Sequence, residues 1–264
     1  MTNLTNDEQG ADLARATAAS LLKAAEEAIA TGVRVPADKK RVFGPAYSWW
    51  RLICRTAEAV LLLTKQGFTV EVAPMVRNIL NHAYAIHWLV DNGDAAVDAL
   101  VARGGDEREK LAKKLEETGW PAAAEFRAAM DQAAAQQAAP PARTPAEQAL
   151  HDKLKHELKN FYDLLDRYDV AEIYPVYSHL SSLSHTTLST ASAYVEQVAD
   201  GSLQIRPNAV DLGHADIIQL AVALLQASTV VSPLIESDPL RPSIDQALAD
   251  LGLQSTQLLP VRVK

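Results

Sequence analysis

Residues 74–88, PMVRNILNHAYAIHW, are the stretch around which the rest of the chain is organised. The stretch has the apolar spacing of a core helix, yet it contains an arginine, two asparagines, two histidines and a tyrosine. Polar groups inside a core cost free energy unless they are paired, so each of them needs a partner or a ligand. The stretch therefore predicts either a functional site or a satisfied internal network.

Helical patterns lie on both sides of this stretch. Residues 46–65 are apolar over most of the circumference of a helix, and residues 7–30 carry apolar side chains at three-to-four spacing. Alanine is abundant and strand-like alternation is scarce, which indicates an all-α protein. We expect a multi-helix bundle that forms a single domain over residues 1–264, with a core of helices at 46–66, 69–91, 176–198 and 211–231.

The connections are predicted from breaker residues. Residues 33–45 contain two prolines and a glycine and are typical of a loop, Thr69 is a candidate cap for the helix that follows, and Gly93 is a candidate stop. Residues 94–132 predict a peripheral helical hairpin with a charged outer face. The Ala/Pro-rich residues 133–146 predict a flexible linker, after which Thr144 or Pro145 begins a helix that runs to about residue 167.

Composition limits the function classes. The 264-residue chain has a net charge of −8, which argues against a broad basic surface for nucleic acid, and its single cysteine excludes a disulfide framework or a multi-cysteine zinc site. No run approaches eighteen uninterrupted apolar residues and the N-terminus lacks a signal-peptide pattern, so we expect a cytoplasmic protein without a membrane partner. His151 and His156 are not on one helix face, and with Asp152 and Glu157 they are expected to face solvent. No metal or cofactor site is expected.

Within the central stretch, residues 77–84 (RNILNHAY) have a composition that suits phosphate chemistry. Arginine can stabilise a pentacoordinate phosphate, and histidine can transfer protons near neutral pH. On an ideal helix Arg77, Asn81 and Tyr84 form one stripe, while His82 lies about 140° from Arg77. The arginine and the histidine can therefore meet only if the chain kinks or a second helix or subunit completes the site.

This run resembles the Arg-x-x-x-x-His-x-Tyr signature of the HEPN family, helical proteins of which many are toxin or phage-defence ribonucleases. The resemblance includes the polar residue after the arginine, here Asn78. It implies that Arg77 and His82 are catalytic in the cleft of a homodimer, where they cleave RNA without a metal. It further implies that Tyr84 is a modification site and that an antitoxin is a partner.

A second group of polar residues occurs later in the chain. Tyr177, Ser181 and His185 are spaced at i, i+4 and i+8, which places them on one face of the predicted helix 176–198. A serine one turn before a histidine suggests a nucleophile and its base, but no carboxylate in the sequence clearly orients the histidine. We therefore expect this face to hydrogen-bond Arg77 and not to act as a hydrolase.

Taken together, the two helices resemble a bacterial domain-of-unknown-function family, number five-six-seven-seven. Its pattern is an apolar helix, a glycine turn, Arg-x-x-x-Glu in the next helix, and later an aromatic residue before Ser-x-x-x-His. Arg77, Ser181 and His185 match this pattern, whereas Asn81 stands in place of the glutamate. The resemblance covers residues 49–195 and implies no established activity, and it leaves Glu58 or another carboxylate to neutralise Arg77.

Two hypotheses follow. One is a HEPN-like, metal-independent ribonuclease with Arg77 and His82 as catalytic residues. The other is a non-catalytic helical protein that binds a small polar or anionic ligand, or a partner protein, through a buried polar face. The candidate ligand-binding residues, in either case, are Asn78, Asn81, Tyr84, Glu58, Tyr177, Ser181 and His185. If Arg77 and His82 open on a cleft at a two-fold axis, the first hypothesis is favoured. If Arg77 points inward to Glu58, Ser181 and His185 of its own chain, the second is favoured.

Overall fold

The computed structural model describes residues 5–136, 142–199, 201–210 and 213–254. The described residues form ten α-helices and one small sheet, which confirms the all-α prediction. The helices are α1 (Glu8–Ala30), α2 (Lys40–Lys65), α3 (Ala73–Glu117), α4 (Ala123–Ala135), α5 (Pro145–Glu157), α6 (Phe161–Arg167), α7 (Tyr174–Ser182), α8 (Leu188–Ala191), α9 (Ala215–Val231) and α10 (Arg241–Leu251), with short 3₁₀ segments at Ala37–Lys39, Ala171–Ile173 and Ser232–Leu234. The strands are β1 (Val195–Gln197) and β2 (Leu203–Ile205).

Contacts divide the chain into two compact units, Met1–Asp91 with Phe161–Lys264, and Asn92–Asn160. In the first unit, α1 packs against α9 and α10, and α2 packs against α9. The predicted core omitted α1, and this was wrong. Ala11, Ala14 and Ala18 are completely buried. Their small side chains let the backbones of two helices approach closely, and burial of each methyl group removes apolar surface from water. Helix α1 is therefore part of the core.

Helix α9 is the most apolar element. The segment Ala215–Leu234 is long and apolar enough to cross a membrane, and 67% of its most apolar window is buried inside the structure. Trp50 of α2 is completely buried, and its indole Nε1 donates a hydrogen bond of 3.1 Å to Ser228 of α9. Burial of this kind is typical of a bundle's central helix.

Two predicted boundaries before the central stretch are wrong. Helix α2 begins at Lys40, inside the predicted loop, and Pro45 lies within it. A proline early in a helix removes a backbone hydrogen bond without ending the helix. Thr69 does not cap α3, which begins at Ala73; the Thr69 hydroxyl instead donates to the Val210 carbonyl at 3.4 Å.

The predicted helix 176–198 is also wrong beyond its first turns. Helix α7 ends at Ser182, and β1 (Val195–Gln197) pairs antiparallel with β2 (Leu203–Ile205), with Val195 opposite Ile205. Ser184 donates to the Leu180 carbonyl at 2.7 Å, and Thr187 donates to the Ser182 carbonyl at 2.6 Å. Serine and threonine side chains that bond nearby backbone groups compete with a continuing helix, and this stretch is rich in them.

The second unit holds the end of α3, then α4 and α5. Gly93 interrupts α3 with a φ of 57° and a ψ of −137°, which confirms the predicted stop. Arg127 of α4 pairs with Glu109 and Glu116 of α3 at 2.5 and 2.9 Å, inside the span of the predicted hairpin 94–132. Of the predicted linker 133–146, residues 137–141 lie outside the described residues.

The helix predicted from Thr144 to about residue 167 is divided in the structure. Thr144 caps α5 through a capping box with Glu147, as the sequence indicated, but α5 ends at Glu157 and α6 starts at Phe161. His151 and Glu157 were expected to face solvent, and this was wrong, since both are buried. Leu154, completely buried between them, shows that this side of α5 faces the interior.

Candidate functional site

Arg77 lies near the start of α3 and points to α7. Its Nε donates a hydrogen bond of 2.6 Å to Ser181, and its Nη2 donates one of 2.8 Å to the Tyr177 hydroxyl. The guanidinium carbon is 4.8 Å from the centroid of the Tyr177 ring, a cation–π distance. Three contacts therefore fix the half-buried arginine side chain in one orientation.

The charge of Arg77 is not neutralised within the described part of the chain. No described carboxylate forms an ion pair with the guanidinium, and both of its hydrogen bonds go to neutral hydroxyls. Glu58, the expected partner, pairs with Arg55 of its own helix at 2.5 Å. Asn81, one turn beyond Arg77, is half-buried and makes no hydrogen bond to a described residue. A partly buried charge without a counter-ion attracts an anion.

Aromatic rings form a wall beside this arginine. Tyr177 stacks on Phe161 with centroids 4.1 Å apart, and Tyr84 meets Phe161 edge-on at 5.4 Å. Tyr174 stacks against Tyr177 at 6.3 Å, and Tyr162 meets Tyr174 edge-on. Tyr84 is only 4% exposed, and burial raises the pKa of its hydroxyl well above the ordinary value. In this conformation Tyr84 is part of the wall and is not accessible to a modifying enzyme.

His82 lies on a different side of α3, against α2. Its Nδ1 is 2.7 Å from the Asn78 carbonyl. Because a carbonyl only accepts, Nδ1 carries the proton and Nε2 is left unprotonated in the neutral ring. The ring also meets Trp49 edge-on at 6.1 Å, and the cleft that it shares with Leu52 holds only about 10 Å³. Arg77 and His82 of one chain therefore do not converge, in agreement with their angular separation.

Two further candidates lie outside the Arg77 contacts. His185 is exposed and follows the end of α7, so it does not share a face with Tyr177 and Ser181 as predicted. The Thr190 hydroxyl donates a hydrogen bond to the backbone carbonyl of His185. Asn78 is exposed, and its backbone carbonyl accepts a hydrogen bond from His82 Nδ1. Of the predicted set, the structure brings together Arg77, Tyr177 and Ser181, with Tyr84 in the adjacent wall.

The sequence interpretation missed a network at the end of the same helix segment. His87 Nδ1 lies 2.9 Å from an Asp91 oxygen, and the completely buried Tyr168 donates to the same oxygen at 2.8 Å. Burial alone would raise the pKa of the Asp91 carboxyl, but the hydrogen bonds from His87 and Tyr168 outweigh it and lower that pKa. The i, i+4 spacing of His87 and Asp91 was the available signal, because such residues are neighbours on a helix.

The next feature is the placement of side chains that can bind a metal ion. Among the residues that the structure describes, no group of three or more histidine, cysteine, aspartate and glutamate side chains is placed to hold a metal ion. Cys54 is buried, and burial raises the pKa of its thiol to about 12. A thiol with such a pKa is not a nucleophile near neutral pH.

Comparison with known proteins bears on the family only. The profile of DUF5677, described as a family of unknown function, matches residues 44–202, more than half of the 264 residues. The matched span includes Arg77, Tyr177 and Ser181. No curated protein and no solved structure matches the chain.

Proposed function

Since this chain belongs to the DUF5677 family, whose function is unknown, we propose from the site itself that the protein is a non-catalytic binding protein that holds a small oxyanion on Arg77. One observation carries the proposal. The guanidinium is half-buried and fixed by Ser181 and Tyr177, yet no described carboxylate pairs with it. A positive charge that is held in place without a counter-ion is arranged for an anion.

The hydrogen-bonding capacity around Arg77 supports an oxyanion in particular. Ser181 and Tyr177 accept hydrogen bonds from the arginine, so each hydroxyl keeps its own proton for donation. Arg77 Nη1 makes no hydrogen bond to a described residue, and the Asn81 amide has two donors. The unused groups are thus mostly donors, which complement a carboxylate or a phosphate.

The first test measures anion binding. Inorganic phosphate and acetate are titrated separately into the purified protein, with thermal stabilisation and calorimetry as readouts. We expect at least one of them to bind the wild type. Arg77→Met should bind it about 10- to 100-fold more weakly, because a hydrogen bond to a charged group contributes about 1.5–3 kcal/mol. Tyr177→Phe, which keeps the ring and removes the hydroxyl, should have a smaller effect.

Arg55→Met is the matched control, because Arg55 is exposed and already paired with Glu58. It should bind the anion as the wild type does. Equal affinity in Arg77→Met and the wild type, or no binding of either anion by the wild type, contradicts the proposal.

The HEPN-like ribonuclease is a second candidate, and the tautomer of His82 favours it. Nδ1 is held by the Asn78 carbonyl, which leaves Nε2 able to accept a proton. Because Arg77 and His82 of one chain face different helices, this candidate requires a homodimer whose partner supplies the missing side chain.

Incubation with total RNA in the presence of a metal chelator separates the two candidates. A non-catalytic binding protein leaves the RNA intact in the wild type and in Arg77→Ala/His82→Ala alike, and this is the result we expect. Cleavage by the wild type that is lost in the double variant would establish the ribonuclease instead. Gel electrophoresis of the RNA over several hours is the measurement.

A further inference from the structure

A second site is suggested by a cavity of about 170 Å³ at the start of α9. It is bounded by α1, the end of α2 and the turn before α3. Val72 and Ile217, which are 1% and 4% exposed, form its apolar part, and Arg15, Thr64, Thr69 and Asp216 contribute its polar part. None of these residues contacts Arg77, so the cavity is separate from the oxyanion site.

Asp216 is the unusual group in this cavity. Its carboxylate is half-buried and makes no hydrogen bond or ion pair with any residue that the structure describes. Burial raises the pKa of this carboxyl, and the nearby His179 acts in the opposite direction without cancelling the effect. A partly buried carboxylate without a partner costs free energy, which a function can justify.

The other polar walls leave mainly acceptors available. The Thr64 hydroxyl donates its proton to the Val60 carbonyl at 2.9 Å, and Thr69 donates to the Val210 carbonyl. Each hydroxyl oxygen therefore has only lone pairs left to offer. The cation in the wall, Arg15, is already paired with Asp12 at 2.7 Å. His214, the remaining titratable group in the wall, lies near Asp7.

We propose that this cavity binds a small primary ammonium ion, with the Asp216 carboxylate as its counter-charge and the Thr64 and Thr69 oxygens as further acceptors. A primary ammonium group has three N–H donors, which match one carboxylate and two hydroxyl oxygens. The buried Val72 and Ile217 contact a short carbon chain, and the volume admits a molecule of only a few heavy atoms. The ion is thus recognised by charge, by donors and by size.

Four probes test this recognition by calorimetry at pH 7.5. Ethanolamine has the ammonium group alone, glycine adds a carboxylate, acetate has only the carboxylate, and tetramethylammonium has the charge without N–H donors. We expect ethanolamine to bind the wild type and tetramethylammonium to bind it at least 10-fold more weakly. Acetate is titrated into Arg77→Met, which lacks the oxyanion site, and should not bind. Glycine tests whether Arg15 also binds the carboxylate of a ligand. Glycine binding that is weakened in Asp216→Asn supports the site, as ethanolamine binding does.

Asp216→Asn keeps the shape of the side chain and removes its charge. We expect it to weaken ethanolamine binding at least 10-fold, while the ligand-free variant is more stable than the wild type. The sign follows from the raised pKa: the folded state binds the proton more tightly than the unfolded state, so the ionised carboxylate destabilises the fold above that pKa. Wild-type stability should therefore gain relative to Asp216→Asn as the pH falls through this pKa.

The exposed carboxylate of Asp245, which pairs with Arg241 on α10, supplies the control Asp245→Asn. This variant and Arg77→Met should both bind ethanolamine normally, which separates failure here from failure of the oxyanion proposal. Three results would overturn the proposal: unchanged ethanolamine binding by Asp216→Asn, binding of acetate by Arg77→Met with the affinity of ethanolamine, or no binding of ethanolamine by the wild type.

Discussion

Trp50→Ala is expected to lower the free energy of unfolding by about 3–5 kcal/mol, the range for removing a large aromatic side chain from a core. Trp50 is completely buried in α2, and its indole donates a hydrogen bond to Ser228 of α9. The substitution removes the indole packing, leaves a cavity and removes the donor for a buried hydroxyl. Urea unfolding followed by circular dichroism measures the change.

Trp120→Ala is the matched control, since Trp120 is 59% exposed in the turn between α3 and α4. The same change of residue type there should alter the free energy of unfolding by no more than about 0.5 kcal/mol. Comparable losses in the two variants would mean that α2 and α9 are not joined through Trp50.

The success of the fold prediction depended on the length of each pattern. Helix α1 extends over 23 residues, and the sequence shows its periodicity over residues 7–30; the cap at Asp7 was seen only in the structure. The break at Gly93 was visible because an Asn-Gly pair after a long apolar helix is a strong stop signal. Where a signal repeats over many residues, local physics and the fold agree.

The serine- and threonine-rich residues 181–190 show where such reasoning fails. The predicted helix continued through them to residue 198, but Ser184 and Thr187 bond backbone carbonyls and α7 ends at Ser182. Helix propensity does not reveal which of these competing hydrogen bonds forms, because the choice depends on what α7 packs against. The error moved His185 from the expected polar face to an exposed position.

The candidate site was predictable in part. The i, i+4 spacing of Tyr177 and Ser181 indicated a polar face, and the buried arginine of the central stretch required a partner, so their meeting followed from two local patterns. The cavity at Asp216 could not be foreseen in this way. Its walls come from three stretches far apart in sequence, at Arg15, at residues 64–72 and at residues 213–217, and only the packing of the bundle brings them together.

The residue at position 81 connects the family resemblance with the unpaired arginine. The pattern that the sequence resembles has a glutamate one turn after the arginine, where it could neutralise the guanidinium within the same helix. This chain has Asn81 there, and Glu58 is occupied by Arg55. The substitution thus leaves Arg77 with neutral hydroxyl partners, and the missing negative charge is what a bound oxyanion would supply.

Gly93→Ala is expected to cost about 1–3 kcal/mol of folding free energy, although a Cβ at this position meets nothing within 4 Å. The cost comes from the backbone alone. Gly93 has a φ of 57° and a ψ of −137°, a combination that residues with a Cβ adopt only under strain. Since the turn interrupts α3 between two helical segments, the strain cannot be relieved without moving one of them. Urea unfolding measures the loss.

Gly105→Ala separates backbone strain from any general effect of adding a methyl group to α3. Gly105 lies within the helical part of α3, and a Cβ there also meets nothing within 4 Å. Alanine in a helix is more favourable than glycine by about 0.5–1 kcal/mol, so this variant should be more stable than the wild type. The two substitutions add the same atoms and should have opposite signs, because one glycine is helical and the other is not. A stabilising Gly93→Ala would show that the chain at residue 93 can adopt helical geometry.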